Sequence, residues 1–294
     1  MRYEKPKNVD EAVALLAAEK GLARVLAGGT DLLVQMRSGR AQPDLMVDCK
    51  AIADMTSIVA ENGALRFGAA TACMVLVEHP EFPAACPGVT DAVKLIGSIQ
   101  VKGRASVGGN VCNASPAADS VPALIAAGAT ARISGPRGSR DVPVESLATG
   151  PGKTCLARDE LVVSFLVPRK QPRSGDAYLR FTPRTEMDIA VVSAGVNLTL
   201  DAAGICTQAR VSLGAVAERP LLVAEAGAAL IGSRIDGAAL ERLAAAASAA
   251  CRPIDDKRGT REYRIKVAGV LARRAAQIAL DRARPDISPG RPQA

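Results

Sequence analysis

Ser106-Val107-Gly108-Gly109-Asn110-Val111-Cys112-Asn113-Ala114-Ser115-Pro116-Ala117-Ala118-Asp119 gathers a glycine pair, two asparagines, two serines, a proline and an aspartate into one short run. An apolar helical pattern over residues 121–127 follows it. Without a Cβ at Gly108 and Gly109, another group can come close to the backbone. The Asn, Ser and Asp side chains offer short hydrogen-bonding groups around that point. The stretch therefore reads either as a tight loop between a strand and a helix or as a polar ligand site.

Upstream lies a second glycine loop. Asn8 reads as a helix N-cap with Glu11 as its capping-box partner, and Ala12, Val13, Leu15 and Leu16 form the apolar stripe of a helix that Gly21 stops. Residues 23–27 then read as a short buried strand. Gly28-Gly29-Thr30-Asp31 follows, and residues 32–38 look helical, closed by Gly39. A strand, two glycines, a Thr N-cap and a helix start leave free amides and a helix dipole that favour an anion; an ordinary β-to-α turn has the same form. Residues 45–48 read as the next strand. Because Ala27-Gly28-Gly29-Thr30-Asp31-Leu32 does not satisfy G-x-G-x-x-G, Asp48 reads as a strand-end residue and not as a ribose ligand.

Downstream the period changes. Glu61-Asn62-Gly63 is a hairpin signal, Thr71 caps a short helix running to His79, and residues 89–97 read as another helix. A second hairpin surrounds Gly135-Pro136-Arg137-Gly138. This is antiparallel α+β organisation, not serial βαβ. Gly150-Pro151-Gly152-Lys153-Thr154 ends like a P-loop, but the first glycine of that motif should fall at Leu147. The pattern that follows, residues 161–167, is a strand and not the required helix, so a mobile loop is the plainer reading. Residues 168–175, with two prolines and a glycine, form the best linker. Beyond it, residues 177–181, 189–200 and 205–214 predict a three-stranded sheet, with alanine-rich helices near 221–231, 237–249 and 260–283.

Composition narrows the function classes. A chain of 294 residues, 48% hydrophobic, suggests roughly two domains. With 2% aromatics and no Trp, any flat ligand lacks stacking partners. No apolar run of about 18 residues exists, so no membrane span is expected, and the N-terminus lacks an apolar signal core, which points to the cytoplasm. The net charge is +7, but basic residues are not interleaved with aromatics, which argues against nucleic acid. Seven cysteines contain no CxxC pair, so reduced thiols are expected, with no metal or iron–sulfur cluster held by this chain alone. The single histidine, His79, reads as a helix-end residue. No nucleophile constellation is visible and no catalytic side chain is assigned.

Four blocks together carry a resemblance: Ala27-Gly28-Gly29-Thr30-Asp31-Leu32, the run from Ala105 to Asp119, Arg184-Thr185-Glu186-Met187-Asp188-Ile189-Ala190, and Pro253-Ile254-Asp255-Asp256-Lys257-Arg258-Gly259. In order and spacing the chain resembles the FAD-binding medium subunit of the molybdenum hydroxylases, the group of xanthine dehydrogenase and carbon monoxide dehydrogenase. The resemblance implies an α+β, two-part FAD-binding domain of the PCMH (vanillyl-alcohol-oxidase-like) type over residues 1–175, with subdomains of about 1–56 and 57–175. A C-terminal domain, 176–294, with a three-stranded antiparallel sheet and helices would follow. It implies FAD as cofactor, a large molybdopterin-cofactor subunit and a small [2Fe–2S] subunit as partners in a dimer of heterotrimers, and an external acceptor such as NAD or quinone.

Residue by residue, Val25, Leu26, Ala27, Gly28, Gly29, Thr30, Asp31 and Leu32 match the segment that cradles the FAD pyrophosphate. Ser106, Gly108, Gly109 and Asn110 match positions around the diphosphate and flavin side, and Asp119 a carboxylate on cofactor hydroxyls. Ile96 matches an apolar position near the flavin. Val162 and Arg180 match an apolar contact and a basic residue near the isoalloxazine, with arginine where some members have lysine. Arg184, Glu186 and Asp188 read as a surface ion-pair cluster or an interface. The cysteine-rich insert of the 4-hydroxybenzoyl-CoA reductase branch has no counterpart between Cys112 and Cys155, so no [4Fe–4S] centre is expected. Two other readings stay open: an assembly subunit that has lost its flavin, and a nucleoside-triphosphate site built on Lys153.

Overall fold

The computed structural model describes residues 1–284. The chain opens with β1 (Arg2–Glu4), α1 (Val9–Ala18), β2 (Ala23–Leu26), α2 (Leu32–Arg37) and β3 (Leu45–Asp48). The strands form a parallel sheet in the order β1-β3-β2. The central strand, β3, is buried at every position, as a strand covered on both faces should be. At the start of α1, Asn8 accepts from the Glu11 amide at 2.8 Å, and the Glu11 carboxylate accepts from the Lys7 amide at 2.8 Å. This is the predicted reciprocal cap, with the back-bond shifted by one residue. Asp48 ends β3 as expected, and its carboxylate is taken up by Tyr3 and Lys50.

The second layer begins with β4 (Ile58–Glu61) and β5 (Ala64–Gly68), joined through Asn62 at φ 53° and Gly63 at φ 81°. Two successive positive φ values are what a type I′ hairpin needs. Six short helices follow: α3 (Cys73–Glu78), α4 (Phe82–Ala85), α5 (Pro87–Lys94), α6 (Ile99–Lys102), α7 (Val107–Cys112) and α8 (Ser120–Ala127). Then come the hairpin β6 (Thr130–Gly135) and β7 (Gly138–Pro143), the small ladder β8 (Ala148–Gly150) and β9 (Lys153–Thr154), and β10 (Leu161–Val167). β10 returns between β5 and β6, giving an antiparallel sheet in the order β4-β5-β10-β6-β7. Lys153 therefore sits in a two-stranded turn with no helix behind it, which removes the geometry of a P-loop. The core under both sheets is continuous and holds three of the four phenylalanines. Phe67 meets Phe82 edge-on at 5.4 Å and stacks on Phe165 at 5.5 Å.

The last layer is an antiparallel sheet of β11 (Ser174–Phe181), β12 (Val192–Leu200), β13 (Cys206–Gly214) and β14 (Leu221–Leu222), followed by α9 (Ala224–Ala228), α10 (Gly237–Ala250) and α11 (Arg261–Ala283). The expected three-stranded sheet thus has four strands. The helix expected near 221–231 starts only at Ala224, because Leu221 and Leu222 pair with Leu213 and Ser212 at the sheet edge. The expected linker is also shorter, since Ser174 and Gly175 already belong to β11.

Strand alternation gives this sheet two unlike faces. Ala177, Ala194, Val196, Leu198, Val211 and Leu213 belong to a second apolar core with α10 and α11. There α11 lies so close that a Cβ on Gly175 would stand 2.0 Å from the Ala279 carbonyl oxygen. The opposite face is polar or small and meets α8: a Cβ on Gly195 would stand 2.6 Å from the Pro122 oxygen. Tyr178 leaves this face to join the first core. No helix among the described residues is long and apolar enough to cross a membrane.

Candidate functional site

A cavity of about 780 Å³ opens between the two glycine loops, within the ~300–1,000 Å³ range of ligand clefts. Its first wall runs from the end of β2 into α2. Gly29 takes φ 76°, which turns the chain sharply off the strand. Gly28 is there because a Cβ would stand 1.9 Å from the Arg104 carbonyl oxygen, so the two loops touch through backbone. Among the described residues, the amides of Gly29, Thr30 and Asp31 donate to no group of the chain. The helix cap is Asp31, not the expected Thr30, and it makes no side-chain cap bond. Open amides beside a helix start are donors waiting for an acceptor.

The second wall is α7, a helix inside the run that could equally have been a loop. Ser106 caps it by accepting from the Gly109 amide at 3.1 Å. The Gly108 amide donates to the Ala69 oxygen at 3.0 Å, and a Cβ there would stand 2.3 Å from that oxygen. Gly109 is different: its Cβ would meet only Ser106 Oγ, at 3.3 Å, with open cavity beyond. Asn110 Oδ1 accepts from both the amide and the hydroxyl of Ser120, at 3.1 and 2.7 Å, which leaves its amide nitrogen as the side-chain donor for a ligand. Gln35 Nε2 donates to Asn113 Oδ1 at 3.1 Å and ties the two walls together.

The structure brings all the sequence-derived site residues to this cavity except Asp119 and Arg180. Those two meet each other instead. Arg180 Nη1 lies 2.6 Å from Asp119 Oδ2, and the Tyr178 hydroxyl donates to Asp119 Oδ1 at 2.8 Å. The pair is nearly closed to solvent, with side chains 6% and 12% exposed. Burial pushes the Asp119 carboxyl up, against the pull of Arg180 and Tyr178. Burial likewise raises the Asp31 carboxyl on the cavity wall. Of the expected cluster of Arg184, Glu186 and Asp188, Arg184 and Asp188 pair at 3.3 Å; Arg258 joins Asp188 at 3.4 Å, and Glu186 makes no ion pair among the described residues.

Sequence reasoning did not name Arg24, Gln35, Arg158 or Glu160 as site residues, and they also line the cavity, as does Asn113 of the opening stretch. Arg158 donates to the oxygens of Glu19 and Gly21, at 2.5 and 2.6 Å, and closes the far end. For Glu160, burial acts upward, but hydrogen bonds from Arg140 and the Ala157 amide outweigh it and hold the carboxyl below its usual range. No motif marks those four residues; only folding collects them.

The lining contains no aromatic ring. A flat ring bound here must be held by aliphatic side chains such as Ile96 and Val162, and an anionic group by backbone amides. This donor set fits a dinucleotide with a diphosphate and does not fit a metal, and no metal-ligating cluster occurs among the described residues. Three of the thiols, Cys49, Cys73 and Cys86, are buried in the same packing. Burial pushes Cys49, Cys73 and Cys86 up to about 12. At pH 8 the native protein should leave these three unmodified by iodoacetamide while the urea-unfolded chain alkylates at all seven positions, as peptide mass spectrometry would show; rapid native labelling of Cys49 would contradict the packing described.

Two family profiles match the chain. The FAD binding domain in molybdopterin dehydrogenase matches residues 1–170, and the CO dehydrogenase flavoprotein C-terminal domain matches residues 177–279. The chain is 35% identical to the carbon monoxide dehydrogenase medium chain of Afipia carboxidovorans over 283 residues, covering 96% of this chain and 97% of that one. It is 29% identical to a putative xanthine dehydrogenase FAD-binding subunit of Escherichia coli over 280 residues, 95% of each. It also superposes with a TM-score of 0.92 and 33% identity on a chain from the carbon monoxide dehydrogenase of Hydrogenophaga pseudoflava that lacks the Mo-pyranopterin moiety of its cofactor, covering 96% of this chain and 98% of that one.

Proposed function

Because the chain belongs to the family of FAD-binding subunits of molybdopterin dehydrogenases, we propose that it is the electron-relaying subunit of a heterotrimeric, molybdenum-containing dehydrogenase or hydroxylase. In this reading it takes electrons from the [2Fe–2S] clusters of a small partner subunit, downstream of a large molybdopterin subunit. It delivers them to an external acceptor such as NAD or quinone. The assembly is a cytoplasmic dimer of heterotrimers. The cofactor domain runs from residue 1 to the start of β11 and the C-terminal domain from β11 onward, two residues ahead of the start expected at 176.

The observation that carries the reading is the cavity itself, walled by two glycine loops, the first with open amides, and lined otherwise by aliphatic side chains such as Ile96 and Val162. FAD supplies the redox chemistry when bound, and the chain sets its geometry and surroundings. The amides of Gly29, Thr30 and Asp31 would hold the diphosphate, as a helix-start loop holds anions. Asn110 would donate through its free amide nitrogen, and Ile96 and Val162 would pack on the ring. Asp119 and Arg180, paired behind the cradle, would fix the start of α8, where Ser120 holds Asn110 of α7. The Arg180 charge is balanced by Asp119 and lies off the cavity lining, so a bound ring would not meet a free cation from it.

The purified chain, or its complex, should be yellow, with flavin absorption near ~450 nm and FAD released on denaturation. A folded chain that neither contains nor takes up FAD would falsify this reading and leave an assembly subunit in its place.

A further inference from the structure

The C-terminal sheet turns its polar face toward the rest of the molecule, and that face is covered unevenly. Its middle lies under α8, through Gly195 and Pro122. One end is closed by the Arg180–Asp119 pair. The other end is open. There Asp176, Asn197 and Arg210 stand in cross-strand register on β11, β12 and β13, and Thr199 and Gln208 form the next row. Above these rows is a second cleft, of about 210 Å³, whose rim carries Arg169 and Lys170. Cross-strand neighbours on one face are close enough to act together on one ligand.

The charges of this cleft do not cancel. Arg210 is shared with Glu145, at 3.0 Å, and also donates to the Ile125 oxygen at 3.0 Å. Among the described residues, Arg169 and Lys170 have no carboxylate within ion-pair distance. Asp176 is 8% exposed and already accepts from the Gly88 amide at 2.8 Å. Burial raises its carboxyl, against the pull of the Gly88 amide and of the Lys170 and Arg282 charges. The floor between them offers the carboxamides of Asn197 and Gln208, groups that read oxygen atoms as donors. The volume is below the ~300–1,000 Å³ of drug-sized sites, so the ligand is small.

We propose that this cleft binds a small oxyanion, a phosphate- or carboxylate-bearing metabolite, gripped by Arg169 and Lys170 and oriented by Asn197 and Gln208. Because the two cations sit on the segment entering β11 while the carboxamides sit on β12 and β13, an occupant clips that segment to the sheet. The site is separate from the glycine-walled cavity, and the proposal does not depend on what that cavity holds.

The test is calorimetric titration of the full-length protein with inorganic phosphate, pyrophosphate and citrate, at ionic strength held constant with chloride, alongside thermal unfolding. At least one of the three should give a saturable heat and raise the unfolding temperature; which arm responds separates phosphate from carboxylate chemistry. Lys170→Ala and Asn197→Asp should each weaken that binding about tenfold, equivalent to ~1.4 kcal/mol, with bound flavin absorbance unchanged. No saturable heat from any of the three anions overturns the proposal. So does binding that both variants leave intact.

Discussion

Alanine at Gly28 is expected to cost roughly 3 kcal/mol or more, the upper end for forced overpacking, and to leave little flavin on whatever protein folds. The new Cβ would stand 1.9 Å from the Arg104 carbonyl oxygen, and neither backbone can yield without separating the two glycine loops. Gly108→Ala meets the Ala69 oxygen at 2.3 Å and should behave alike. Gly109 is the informative contrast. It lies in the interior of α7, its Cβ would touch only Ser106 Oγ at 3.3 Å, and alanine there gains up to ~1 kcal/mol of helix propensity. Gly109→Val should therefore unfold at nearly the wild-type denaturant concentration while binding FAD on the order of tenfold more weakly, since ~1.4 kcal/mol of lost contact is a factor of ten. Chemical denaturation read beside flavin fluorescence separates the two kinds of glycine. Equal stability losses at Gly28 and Gly109 would contradict the assignment.

The second large effect is expected at Asp119. Asp119→Ala removes the partner of a guanidinium whose side chain is 6% exposed, and an uncompensated buried charge typically costs ~3–5 kcal/mol. Arg180→Met strands the carboxylate and should cost a similar amount. Tyr178→Phe, which deletes one hydrogen bond to the same carboxylate, should cost ~1–3 kcal/mol. The double variant Asp119→Ala with Arg180→Met should be less destabilised than the sum of its singles, because it leaves no charge behind. The cycle is read from urea unfolding of the four proteins, and strict additivity would mean that the pair does not act as a unit. FAD retention should follow stability across the series, since the Asp119–Tyr178–Arg180 contacts lie outside the cavity lining.

These two predictions mark what was and was not legible in the sequence. Local chemistry was readable: the capping box at Asn8, the Asn62-Gly63 hairpin, and both glycine loops as places of close approach. The reason for each glycine was not readable. A sequence cannot tell whether the close neighbour is a ligand or the chain's own carbonyl, and at Gly28 and Gly108 it is the chain. α7 was equally hidden, because two glycines argue against a helix, whereas the Ser106 cap and the Ala69 carbonyl hold it by tertiary contact. At 221–222 the missing information was again a partner, the edge of β13. The Asp119–Arg180 pair joins residues 61 positions apart, and no spacing rule reaches so far. Arg24 and Arg158 reach the cavity from ordinary loop and strand sequence for the same reason.

Helix α8 carries a consequence for how this chain can be divided. Every residue from Ser120 to Ala126 is buried, with the first core on one side and the polar face of the last sheet on the other. The helix belongs by sequence to the first half of the chain and is kept dry by the second. A fragment ending near residue 170 would expose Pro122 and Ala126 to water, and a fragment beginning there would expose the face around Gly195 and Ser212. The two profile-matched regions are separable as stretches of text, but a cut between them leaves each half with a face that the other keeps from water.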